Sequence, residues 1–308
     1  MRIIFMGNPE FAIPTLKSLK NSNYNVVGVV SNPPKPMGRG RKLSSTAVGN
    51  FAKEHGLNLV EPKSLKSIDF NESLLELKPD IFVVVAYKIL PKSLIKIPKF
   101  GAINLHASLL PKYRGAGPIQ WSLMNGDKNT GITVFQIQPK VDTGNILLQR
   151  KMKILDEDNM YSLGMRLCES GSDLVLKALD GIRDGEIKGK PQNPSFASPA
   201  PKITKDLTKI NWSWPASKIH NWIRGLSPFP GMYSSINNKK FRIFKTCVEK
   251  NPENIPGKVI QANQSILKVS TGDGALSLID VQIEGKRKMS VADFLRGANI
   301  KIGDYLGL

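Results

Sequence analysis

The spacing of apolar residues along the chain changes several times, and each change predicts an element. Arg2–Met6 reads as a compact strand, followed by Gly7 for a turn, Asn8 as a cap and Pro9 at a first helical position. Phe11, Leu16 and Leu19 recur at roughly helical spacing through Asn21, and Asn25–Val30 is a second strand. This strand–helix–strand opening predicts a parallel sheet, and thus an α/β fold. Residues 45–55 and 64–77 read as helices, and Leu57–Val60 as a strand. Asp80–Ala86 is a near-continuous apolar run of the kind that occupies the centre of a parallel sheet. Gly101–Leu105 and Gly131–Gln138 supply two further strands, with a short helix between them over Gly115–Asn125. A long helical pattern covers Asn159–Gly185.

The pattern then breaks. Residues 186–206 contain four prolines and few large apolar side chains, so they are expected to link two domains, 1–185 and 207–308. Beyond the linker, Asn211–Gly225 reads as a helix. From Met232 onward short alternating strands dominate, with Gly272-Asp273-Gly274 as a hairpin turn. Short strands, tight turns and no long helix predict a small β-barrel.

Composition changes this picture in one respect. The chain carries 44 Lys and Arg against 25 Asp and Glu, a net charge of +19. The excess is denser beyond residue 200, where 17 basic residues face 8 acidic ones. Such an excess favours a polyanionic partner. No window approaches 18 uninterrupted apolar residues, so no membrane span is expected, no membrane is counted among the expected partners, and the N-terminus lacks the pattern of a signal peptide. Cys168 and Cys247 are far apart and suit a reducing compartment.

Candidate chemistry concentrates between Gly101 and Gly144. Asn104, His106 and Ser108 alternate, and so share one face if the strand extends that far. Asp142 sits in a turn after the strand GITVFQIQ. An amide and an imidazole can stabilise an oxyanion, the imidazole can also move a proton, and a carboxylate can orient it. None of the three needs to be a nucleophile, which suits transfer of an acyl or one-carbon group to an amine. A Ser–His–Asp hydrolase using Ser108 lacks the G-x-S-x-G elbow. His55, His106 and His220 show no metal-ligand spacing with each other or with the cysteines, so no metal is expected. Residues 32–44 (NPPKPMGRGRKLS) form a basic loop carrying Lys35, Arg39, Arg41 and Lys42. The opening turn, GNPEF, is not a dinucleotide fingerprint.

The segment NLHASLLP with a downstream VDTG closely resembles the folate-dependent formyltransferases. RIIFMGNPEFA, KPMGRGRKL, GAINLHASLLPKYRGAGPIQW and WSWPASKIHNWIRGLSPFPG extend the resemblance along the whole chain, to the branch that acts on initiator methionyl-tRNA. That resemblance implies a Rossmann-like N-terminal formyltransferase domain and a C-terminal OB-like tRNA-binding domain. It implies 10-formyltetrahydrofolate as co-substrate and Asn104, His106 and Asp142 as the catalytic trio. Ser108, Leu109, Leu110 and Pro111, with Val85, Tyr87 and Leu90, would line the folate site. Lys35, Arg39, Arg41 and Lys42 would hold the tRNA, with Arg39 inserting into the end of the acceptor stem. A cytoplasmic monomer is expected. The alternative is a related formyltransferase acting on a small amine, such as glycinamide ribonucleotide or an amino sugar nucleotide.

Overall fold

The computed structural model of the chain describes residues 1–37, 40, 42–251 and 253–307. Among these residues the elements begin with β1 (Arg2–Gly7), α1 (Ile13–Lys20), β2 (Asn25–Val30), β3 (Lys35–Met37) and β4 (Lys42–Ser44). There follow α2 (Ala47–Glu54), β5 (Leu59–Val60), α3 (Ile68–Glu76), β6 (Ile81–Val85), α4 (Lys92–Ile95) and β7 (Ala102–His106). Next come α5 (Pro118–Met124), β8 (Asn129–Gln136), β9 (Ile146–Lys153), α6 (Met160–Arg183) and α7 (Ala216–Leu226). The last are β10 (Met232–Ile236), β11 (Lys239–Glu249), β12 (Val259–Ala262), β13 (Leu267–Ser270), β14 (Ala275–Ile283), β15 (Met289–Ser290) and α8 (Val291–Leu295).

Two compact units emerge. The first joins Met1–Pro118, Asn129–Lys153 and Gly164–Pro201; the second joins Ile119–Lys128, Ile154–Leu163 and Lys202–Leu308. Each unit therefore collects pieces that are distant in sequence.

The first unit is built on a seven-stranded sheet in the order β5-β2-β1-β6-β7-β8-β9. It is parallel from β5 to β7 and antiparallel at β8 and β9. The chain runs outward from β1 through β2 to β5, then returns to β6 on the other side of β1. That reversal leaves the carboxyl ends of β1, β6 and β7 as the place where open α/β sheets bind ligands. Ile4, Met6, Phe82, Val84 and Ala102 pack with Phe70 and Leu74 of α3 on one face. On the other face Gly171 of α6 admits Leu105, whose side chain lies where a Cβ would stand. Strand β9, ILLQRKMK, had no clear apolar alternation. As the sheet's outer strand it exposes Gln149, Lys151 and Lys153, charged and polar positions that protect an edge from further pairing. Within the basic segment expected as a loop, Lys35–Met37 and Lys42–Ser44 pair as antiparallel strands. Lys35 pairs with Ser44 and Pro36 with Leu43.

The second unit holds an antiparallel sheet in the order β10-β11-β14-β13-β12, with β15 beside β14. Its core joins Ile219, Ile223 and Leu226 of α7 to Phe241, Ile243, Leu276, Leu278 and Val281. The two outer strands are covered by residues 303–307. The Gly303 N–H donates to Val259 O, Val259 N–H to Asp304 O and Leu306 N–H to Gly257 O, while Gly307 N–H donates to Ser235 O of β10. The tail thus closes the sheet towards a barrel. Helix α7 starts at Ala216 and not at Asn211, because Pro215 stands extended at its N-terminus. No helix among the described residues is long and apolar enough to cross a membrane.

Candidate active site

Strand β7 brings Asn104 and His106 onto one face, two residues apart, between β6 and β8. The extended segment ends at His106, so Ser108 does not continue the alternation. Ser108 is fully buried, and its hydroxyl donates to Lys112 O at 2.6 Å, closing a turn. The cause lies in the neighbouring strand. Thr133 of β8 donates its hydroxyl to Ser108 O at 2.7 Å and accepts from Leu110 N–H at 3.1 Å. Gln149 of β9 adds Nε2 bonds to Leu110 O at 2.8 Å and to the Thr133 hydroxyl at 2.9 Å. Residues 108–111 are held by their backbone, and Leu110 is buried at 3% exposure.

His106 and Asp142 meet. The His106 Nδ1 lies 3.7 Å from Asp142 Oδ2, with both side chains largely buried. The other ring nitrogen, Nε2, is 2.8 Å from Tyr113 O. A carbonyl only accepts, so Nε2 carries a proton, and Nδ1 is the nitrogen that faces the carboxylate. Phe135 presents an edge to the ring at 6.3 Å between centroids. Asp142 sits in the left-handed region at φ 50° and its Oδ2 also accepts from Gly115 N–H at 2.8 Å.

Gly115 is required for that last bond. Its φ is +125°, and a Cβ there would stand 2.6 Å from Ala200 O. Gly144 is equally constrained, with Gln136 O occupying the space of a Cβ.

The remaining candidates divide. Val85 and Leu90 flank the turn after β6 and are buried at 3% and 4% exposure. Tyr87 between them is half-buried, packs on the sheet core, and has a buried hydroxyl without a hydrogen-bond partner among the described residues. Burial pushes that hydroxyl up to about 12. Leu109 is half-buried and lies over Gly131, while Pro111 is half-buried. Lys35 and Lys42 are exposed on the β3–β4 ribbon; Arg39 and Arg41 lie outside the described residues.

Several residues around the pair were not singled out from sequence: Tyr113, Arg114, Gly115, Thr133, Gln149 and Gln192. Three of the six act through backbone groups or as spacing, which leaves no chemical mark in a sequence. Gln192 lies in a proline-rich stretch that reads as a connector. A polar side chain between Pro191 and Asn193 was its only signal.

An amide and an imidazole share one strand face, with a carboxylate against the imidazole, a set whose chemistry suits acyl transfer without a protein nucleophile. The chain belongs to the formyl transferase family. Residues 1–179 match the formyl transferase domain and residues 202–299 the formyl transferase C-terminal domain. Among its relatives, the methionyl-tRNA formyltransferase of Ruminiclostridium cellulolyticum is 39% identical over 311 residues, covering 100% of both chains. That of Alkaliphilus oremlandii is 42% identical over 309 residues, again covering 100% of both. The fold is also that of the Helicobacter canadensis N-formyltransferase solved with folinic acid and dTDP-3-aminofucose. The TM-score is 0.66 at 22% identity, over 90% of this chain and 97% of that one.

Proposed function

We propose that the protein transfers the formyl group of 10-formyltetrahydrofolate to the α-amino group of methionine on initiator tRNA. The products are formylmethionyl-tRNA and tetrahydrofolate. The observation that carries this reading is similarity to methionyl-tRNA formyltransferases along the entire chain, barrel included.

The amine nitrogen attacks the formyl carbon and the carbonyl electrons move to oxygen. The bond from carbon to folate N10 then breaks, and the proton lost by the amine balances the one gained by N10. Asn104 donates its side-chain N–H to the developing oxyanion. His106 donates from Nδ1, because its Nε2–H is engaged by Tyr113 O. Asp142 holds the ring and assists the proton towards N10. Val85, Tyr87, Leu90 and residues 108–111 hold the folate. Apolar walls with one unsatisfied buried hydroxyl suit a flat heterocycle with polar edges.

For the tRNA, Lys35, Arg39, Arg41 and Lys42 grip the acceptor stem. The barrel adds Lys239, Lys240, Arg242 and Lys245 on one strand. Burial, and then the charge of Arg242, lower the pKa of Lys240, while Glu284 opposes this. Such groups bind phosphates by releasing counterions. The protein acts as a cytoplasmic monomer.

The test supplies 10-formyltetrahydrofolate with charged initiator tRNA and, separately, with glycinamide ribonucleotide or an amino sugar nucleotide. Formylation of the tRNA is expected. Turnover confined to a small amine would reassign the acceptor, and tRNA binding without any transfer would remove the enzymatic reading.

A further inference from the structure

We propose that Gln192 is a positioning residue for formyl transfer, acting by locking the Asp142 turn against His106. The proposal rests on the functional reading above. The side-chain amide of Gln192 uses its full hydrogen-bonding capacity within the first unit. Its Nε2 donates to Asp142 O at 2.9 Å and to Gly144 O at 2.8 Å. Its Oε1 accepts from Arg114 Nε at 3.1 Å and Nη2 at 2.6 Å. A primary amide has two donor hydrogens and two acceptor sites, and all four are filled.

These bonds join two pieces that must be held in register. One is the 142–144 turn, where a non-glycine residue takes φ 50° and must be kept there by its surroundings. The other is the 113–115 turn, whose Tyr113 O fixes His106 Nε2 and whose Gly115 N–H binds the Asp142 carboxylate. Residues 198–200 strap the second turn. Ser198 Oγ accepts from Tyr113 N–H, Ser198 O accepts from Arg114 N–H, and Ala200 N–H donates to Arg114 O. Through Arg114, Gln192 connects the strapped 113–115 turn to the Asp142 turn. The segment read from sequence as a connector thus contributes the group that sets the His106–Asp142 separation.

Gln192 touches neither reacting atom, so its effect must pass through Asp142. Two variants separate its functions. Gln192→Leu removes all four bonds. Gln192→Glu keeps the shape and the Arg114 contacts but sets carboxylate oxygen against the carbonyls of Asp142 and Gly144. Single-turnover transfer is expected to fall about 10–100-fold in both, the scale of a small misplacement of a reacting group. KM for each substrate stays within about 3-fold, because no substrate contact is lost. In an Asp142→Asn background, Gln192→Leu is expected to cost less than about 3-fold more, since the residue it positions is already disabled.

A second readout needs no activity. The imidazole ¹⁵N shifts of His106, assigned among three histidines with His106→Gln, should move in Gln192→Leu as they do in Asp142→Asn. An unaltered transfer rate, an undiminished cost in the Asp142→Asn background, or unchanged His106 shifts would overturn the proposal. If the wild-type protein formylates nothing, the functional reading fails, and the His106 spectra still decide whether Gln192 holds the pair.

Discussion

Replacing Thr133 with valine tests how the 108–111 segment is held. The two side chains have nearly the same shape, but the Thr133 hydroxyl is fully buried and saturated. It donates to Ser108 O and accepts from Leu110 N–H and from Gln149 Nε2. Gln149 is on an outer strand and can turn to water, so its loss costs little. The Leu110 N–H and Ser108 O are enclosed, and each buried group left unpaired costs about 1–3 kcal/mol. Thr133→Val should therefore lose about 2–6 kcal/mol from a total stability on the order of 5–15 kcal/mol. Thr133→Ser keeps the hydroxyl and removes one buried methyl, at about 1 kcal/mol. The comparison isolates the hydrogen bonds from the packing. Urea denaturation should be followed by far-UV circular dichroism, because all four tryptophans belong to the second unit. With a slope of about 2 kcal/mol/M, the midpoint of Thr133→Val should drop by about 1–3 M. Exchange of the Leu110 amide should accelerate in Val and not in Ser, and KM for 10-formyltetrahydrofolate should rise in Val. If Thr133→Ser is as destabilising as Thr133→Val, packing holds the segment and the hydrogen-bond account is wrong.

Asn104→Ala should slow single-turnover formyl transfer by about 10²–10³, the cost of one oxyanion donor; near-normal chemistry would remove Asn104 from the mechanism. Arg39→Ala should raise KM for tRNA and flatten the dependence on log salt by about one unit, with the chemical step intact. An unchanged salt slope would dismiss that contact. His220 is held down to about 4 by burial, then by the Arg224 charge, although Asp156 opposes this. The folded state therefore resists a proton that the unfolded chain takes up below about pH 6.5. Stability is lost as pH falls from about 6.5 to 4, and His220→Gln should lose less over that window in urea titrations. A parallel decline in both proteins would exclude His220. Leu306→Ala, at a site buried to 3% exposure, should cost about 2–4 kcal/mol and speed amide exchange at Val259 and Gly307. Protection at those amides equal to wild type would mean that the tail does not close the barrel.

Where neighbours in sequence are neighbours in space, the chain could be read directly. The runs Arg2–Met6, Asn25–Val30 and Asp80–Ala86 bury both faces of a parallel strand, so their composition announced the sheet. The Asn104–His106 spacing placed two side chains on one face because a strand repeats every two residues. Gly272-Asp273-Gly274 marked a hairpin for an equally local reason. What depended on distant partners could not be read this way. The extent of β7 was decided by Thr133, 25 residues after Ser108, whose hydroxyl captures the backbone there. Strand β9 lacked apolar alternation because its outer position imposes solubility and not burial. Only packing brought residues 119–128 and 154–163 into the same unit as the barrel. The same holds for the His106–Asp142 pair. Sequence named His106 and Asp142, but their 3.7 Å approach depends on Gly115, Gln192 and Ala200, which carry no signature of that role. Local propensity and periodicity are written in residue types. The closing of a site is written in backbone groups meeting across long separations, and only the folded chain brings those groups together.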